Sequence, residues 1–197
     1  MNLIDRISRQ FEDNMRTSLE ALEMLAAPIA GAVELITASL LESGKVLVCG
    51  GSGSAGDARR FAAQLVNGFE LERPSLAALA LSADTSTLAP LAGDPDTSGL
   101  FARQIEAFGH PGDILLTLSA SADSARIEGA IRAAHERDMR VIALTGADGG
   151  RIADCLGPDD IHICTPAERK ARIQELHLLV LHCLCDGIDC LLLGVED

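Results

Sequence analysis

The apolar run Val46-Leu47-Val48-Cys49 ends in Gly50-Gly51-Ser52-Gly53-Ser54 and passes straight into a stretch of helical period. The same order recurs along the chain. Short apolar runs predict strands at 46–49, 76–81, 114–118, 140–144 and 160–164, the last near a sheet edge. Helical periods predict helices at 54–69, 124–137 and 168–192. Buried strands separated by helices pair through right-handed crossovers and not through hairpins. The pattern therefore predicts an α/β fold: a three-layer α-β-α sandwich around a five-stranded, mostly parallel sheet.

Ahead of the first strand, Ile4, Ile7, Phe11, Met15, Leu19 and Leu22 recur at steps of three and four, the mark of a long amphipathic helix. Pro28 suggests a fresh start, and a second helix should run to Gly44. Two N-terminal helices are more than one small sheet needs, so the first is expected to form an oligomer interface. The chain ends Leu191-Leu192-Leu193-Gly194-Val195-Glu196-Asp197. Those leucines are expected to pack on a neighbouring subunit or to present an apolar patch to a partner. Without repeats or a linker, 1–197 reads as one domain, divided into an N-terminal helical pair (1–44) and an α/β core with its C-terminal helix (45–197).

Sixteen basic residues stand against 29 acidic ones, a net charge of −13. That balance opposes direct binding to nucleic acid or to an anionic membrane. Residues 1–16 lack the apolar core of a signal peptide. The apolar stretch 176–193 has membrane-like length, but His177, His182, Asp186 and Asp189 mark it as a buried helix. The six cysteines lack zinc-site spacing and lie largely in apolar runs. Packing is the ordinary reading of Cys183 and Cys185, with redox sensing the alternative. The expected compartment is the cytoplasm.

In a parallel sheet, ligands sit beyond the carboxyl ends of the strands. Three small polar loops leave those ends: Gly50–Ser54, Ser119–Ser124 and Thr145–Gly150. Glycines allow close backbone approach, and serine hydroxyls with helix N-terminal amides can satisfy a phosphate. Ser52, Ser54, Ser119, Ser121 and Ser124 are the candidate ligand-binding residues.

These loops, together with "ERPSLAALAL", "FARQIEAFGHPGDILLTLSAS", "VIALTGADGG" and "ARIQELHLLVLHCLCDGID", resemble the sugar isomerase (SIS) domain family, and within it the phosphoheptose isomerase group. The resemblance covers nearly the whole chain. It implies a flavodoxin-like fold, a sugar phosphate ligand and a homotetramer whose sites draw on more than one subunit. It brings Gln174 into the ligand-binding set and places both Gln174 and His182 at positions serving the isomerase site and its metal. The ending "LGPDDIHICTPAERKARIQELHLLVLHCLCDGID" also resembles a non-enzymatic branch whose members associate with the bacterial replication initiator DnaA.

The chain departs from the isomerase pattern at several positions. Gly51-Ser52 stands in place of an Asn-Gly pair, Arg60 in place of a histidine, Gln64 in place of the catalytic glutamate, and Gly93-Asp94 in place of Asn-Asp. Ala120, Ala122 and Asp123 alter the phosphate loop, and Asp123 would either repel a phosphate or turn away to cap the next helix. Ketose–aldose conversion needs a group that accepts and returns a proton. Gln64 cannot do this, and Arg60 is permanently charged. The sequence therefore favours a non-catalytic, sugar-phosphate-binding factor with DnaA as partner, acting in replication initiation. It needs no cofactor, has no metal ligands and has no assigned catalytic residue, with His182 the one candidate and Gln64 standing in place of the family acid. The alternative is a sedoheptulose 7-phosphate isomerase supplying heptose for lipopolysaccharide precursors, with zinc only in that case.

Overall fold

The computed structural model describes residues 2–51, 53–81, 98–121 and 123–194. Five strands, β1 (Val46–Gly50), β2 (Ala78–Ala80), β3 (Ile114–Leu118), β4 (Arg140–Gly146) and β5 (Ile161–Thr165), form one sheet in the order β2-β1-β3-β4-β5. Every pairing is parallel, with Val46 opposite both Ala78 and Ile114, Ile114 opposite Arg140, and Ile142 opposite Ile161. β1 and β3 are buried along their full length, as strands covered on both faces must be.

Six helices accompany the sheet among the described residues: α1 (Leu3–Leu41), α2 (Ala55–Asn67), α3 (Gly99–Phe108), α4 (Ala125–His135), α5 (Gly150–Asp154) and α6 (Lys170–Leu193). One face of the sheet packs on α1, α2 and α6 through Ile36, Phe61, Leu65, Val180, Leu181 and Leu184. The other packs on α3, α4 and α5 through Phe101, Ile105, Ile127, Ile131 and Ile152. The expected three-layer α/β sandwich is present.

The N-terminal pair of helices is not. α1 is one helix of 39 residues with Pro28 inside it. A proline there removes one i→i−4 bond and crowds the preceding turn, at a cost of about 3 kcal/mol. Met24, whose carbonyl loses that bond, is exposed and can turn to water. Leu25 before the proline and Ala32, Val33 and Ile36 after it are buried on the same helix, which offsets the cost. The N-terminal part of α1 leaves Ile4, Ile7, Phe11, Met15, Leu19 and Leu22 exposed.

α3 is a helix the strand–helix pattern missed. α1 and α6 are long and apolar enough to cross a membrane by length and composition. α6 instead gives Leu176, Val180, Leu181, Leu184, Cys185 and Ile188 to the core. Leu192 packs against that core, Leu191 and Leu193 are exposed, and 195–197 lie outside the described residues.

Candidate functional site

The strand order reverses direction between β1 and β3, and the loops leaving those two strands part to opposite faces of the sheet. A crevice at such a switch point is where ligands of open α/β sheets bind. Here it is a cleft of about 310 Å³. Gly51, Gly53 and Ser54 form one side, Ser119, Ala120, Ser121, Asp123 and Ser124 another, and Lys170 and Gln174 of α6 a third.

Glycine is required at position 50 of the first loop for steric reasons. A Cβ on Gly50 would lie 2.6 Å from the Ser54 carbonyl oxygen, and one on Gly53 would collide with the Gln174 amide. The Gly51 N–H donates to the Leu118 carbonyl at 3.1 Å, tying this loop to the end of β3. In the second loop the Ser119 hydroxyl donates to the Ser121 carbonyl at 2.7 Å and accepts from the Ser121 N–H at 3.3 Å. The Ser121 hydroxyl donates to the Asp123 carbonyl at 3.2 Å. These bonds hold the loop open at the N-terminus of α4, where helix amides favour an anion.

The structure thus brings Ser54, Ser119, Ser121, Ser124 and Gln174 to one cleft, while Ser52 and the Gly93-Asp94 pair lie outside the described residues. Two expectations change. The third polar loop, Thr145–Gly150, does not line the cleft. It turns toward β5, with the Ala147 N–H donating to the Ala167 carbonyl at 2.9 Å and the Cys164 thiol to the Ala147 carbonyl at 3.2 Å. Asp123 does not cap α4: it is exposed, lines the cleft and makes no ion pair among the described residues.

Behind the cleft, α2 and α6 pack together. Gln64 is half-buried and its Oε1 lies 3.8 Å from the Cys185 thiol. The His182 ring lies 5.3 Å from that of Phe69. Arg60 is exposed. A buried ion pair, invisible in the sequence, fixes this wall. Arg73 pairs with Asp189, both side chains almost wholly excluded from water, and also donates to the carbonyls of Leu65 (2.7 Å) and Gln64 (3.1 Å). Toward the start of α6, buried His177 donates through Nε2 to the Thr145 carbonyl at 3.0 Å, and burial holds its pKa below the ordinary imidazole value. Burial pushes the Cys185 thiol up to about 12 and also raises that of Cys183, so neither is a ready thiolate.

The donor set does not suit zinc. The positions that the resemblance assigns to the isomerase site and its metal offer one imidazole (His182), two amides (Gln64 and Gln174) and a guanidinium (Arg60). An arginine cannot ligate, and zinc selects thiolate, imidazole and carboxylate. Among the described residues, no three His, Cys, Asp or Glu side chains are grouped to hold a metal ion.

Residues 10–146 match the family model for the SIS domain. The chain is 64% identical to a phosphoheptose isomerase of Aromatoleum aromaticum over 197 residues, all of both chains. It is 62% identical to one of an Azoarcus species, again over the full length of both. The solved phosphoheptose isomerase of Francisella tularensis superposes with a TM-score of 0.91 at 41% identity, covering 96% of this chain and 99% of that one. These findings overturn the expectation of a non-catalytic DnaA-associating factor in replication initiation. That expectation rested on the C-terminal stretch and on a few altered side chains, whereas the isomerase likeness runs from end to end. The chain belongs to the SIS domain family, in the group of the phosphoheptose isomerases.

Proposed function

We propose that this protein is an aldose–ketose isomerase acting on sedoheptulose 7-phosphate, to give the aldose heptose 7-phosphate for lipopolysaccharide precursors. The observation that carries the reading is the serine-lined cleft at the β1/β3 switch point, in a chain 64% identical throughout to a named phosphoheptose isomerase. Ser54, Ser119, Ser121 and Ser124 with the α4 N-terminus would hold the phosphate, and Gln174 would orient the sugar.

The reaction moves a proton between adjacent carbons and another between their oxygens, with no net loss of electrons. Gln64 cannot carry a proton, so His182 is the group assigned to accept and return it. The bare apolar face of α1 supports a homotetramer of this chain. The acidic charge fits a cytoplasmic enzyme of small molecules that contacts neither nucleic acid nor membrane.

The test is conversion of sedoheptulose 7-phosphate followed by NMR. The wild-type protein should form the aldose, and His182→Gln should lower kcat by about 100-fold or more. Absence of aldose with the wild-type protein, or an unchanged rate in His182→Gln, would overturn the corresponding assignment.

A further inference from the structure

We infer that Lys170 is the cationic anchor of the cleft: with Arg126 it binds the anionic end of the ligand and offsets the carboxylate of Asp123. The inference rests on the sugar-phosphate reading and deepens it by naming the residues that set the charge of the site.

Lysine is scarce in this chain. Of 16 basic residues only Lys45 and Lys170 are lysines. Lys45 is held by Asp113 at the opposite end of the sheet. Lys170 is the first residue of α6, lines the cleft and makes no ion pair among the described residues.

Its setting is locally unfavourable. The first turn of α6 carries Lys170 and Arg172, follows Arg169 and contains no acid. A helix N-terminus is the positive end of the macrodipole, where anions stabilise and cations do the reverse. Arg169 escapes this cost by pairing with Asp13 at 2.6 Å, and Arg172 by pairing with Glu175 at 2.7 Å. Lys170 has no such relief, and an anion in the cleft would supply it. Arg126, in the first turn of α4, lines the same cleft and makes no ion pair among the described residues; the acid of that turn, Glu128, pairs with Arg151 at 2.7 Å instead.

The charges of the cleft lining point the same way. Among the described residues, Asp123, Arg126 and Lys170 are the charged groups lining it, so a chain of net charge −13 presents a locally positive cleft. A phosphate monoester carries about −1.5 to −2 at neutral pH. Serine hydroxyls alone would leave it facing the Asp123 carboxylate uncompensated, and two cations reverse the balance. Lysine suits this task because its ammonium is a compact charge on a flexible stem that can follow the phosphate.

The test is calorimetric titration of sedoheptulose 7-phosphate and of inorganic phosphate into the wild-type protein, Lys170→Met, Lys170→Arg, Asp123→Asn and the double variant Lys170→Met/Asp123→Asn. Lys170 and Asp123 are exposed, so circular dichroism should report unchanged folds. Lys170→Met should weaken sugar-phosphate binding at least 10-fold and flatten its salt dependence. Asp123→Asn should tighten it about threefold, Lys170→Arg should stay close to wild type, and the double variant should recover most of the loss. Wild-type binding with Lys170→Met within twofold of it would overturn this inference alone. A wild-type protein that binds neither probe would overturn both the inference and the sugar-phosphate reading.

Discussion

The β3–α4 loop and the α2–α6 wall border the same site but depend on the sequence in different ways. On the proposed reading the loop would hold an anion through its backbone shape, its hydroxyls and a helix terminus. Ser119 still bridges to Ser121, although Ala120 and Asp123 have changed the residues around it. The α2–α6 wall works through the identity of individual side chains, and there Arg60 and Gln64 replace a histidine and a glutamate that the isomerase resemblance expects. Anion recognition by backbone tolerates substitution between its contact points, whereas proton transfer depends on which side chain carries the proton. The wall has nonetheless kept its scaffold, because Arg73 and Asp189 lock α2 to α6 from beneath.

Removing that lock should give the largest effect. Arg73→Met leaves Asp189 buried without its partner, and its Oδ2 already lacks one. A loss of about 3–5 kcal/mol is expected in urea denaturation. A loss under about 1 kcal/mol would mean the pair is not what holds the wall.

Next comes the missing acid. Gln64→Glu restores a carboxylate at the wall and should raise kcat for sedoheptulose 7-phosphate by about 10- to 100-fold, within the usual range for a general acid or base. A flat or lower rate would show that the wall's chemistry does not pass through this position.

Ser119→Ala probes the other side. It removes the hydroxyl that shapes the loop, so sugar-phosphate affinity should fall about 10-fold while stability changes by no more than about 1 kcal/mol. Equal affinity would show that backbone alone suffices.

The smallest effect is on pH. Burial lowers the pKa of His177, so the unfolded chain takes up a proton near pH 6.5 that the native fold resists. A depressed histidine contributes stability at neutral pH that falls as the medium is acidified below about 6.5. The slope is at most about 1.4 kcal/mol per pH unit for one group. His162, also lowered by burial, adds in the same direction. Melting temperatures from pH 7.5 to 5.5 should fall, and less steeply in His177→Gln if that variant folds. A rising curve would contradict the assignment.

The sheet was legible because its strands are short apolar runs with polar ends: the expected 114–118 strand is β3 itself, and the other four strands lie within a few residues of expectation. The cleft's serines were legible too, since small polar residues at the ends of parallel strands have few other uses. α3 went unread although Leu100, Phe101, Ile105 and Phe108 recur at helical spacing before Gly109. Pro28 misled because a local rule was overridden by burial before and after it. Arg73 and Asp189 stand 116 residues apart and lie in unremarkable local sequence, so only the fold joins them. Lys170 was hidden by its arginine neighbours, which look alike in sequence yet face α1 rather than the cleft.

On the proposed reading the β1/β3 cleft takes a sugar phosphate. NMR titration of the labelled protein with sedoheptulose 7-phosphate tests it most directly. The largest amide shifts are expected at Gly53, Ser54 and the stretch from Ser119 to Ala125, with the β4–α5 loop at Ala147 and Asp148 unmoved. Shifts centred on the β4–α5 loop, or none at millimolar ligand, would contradict it.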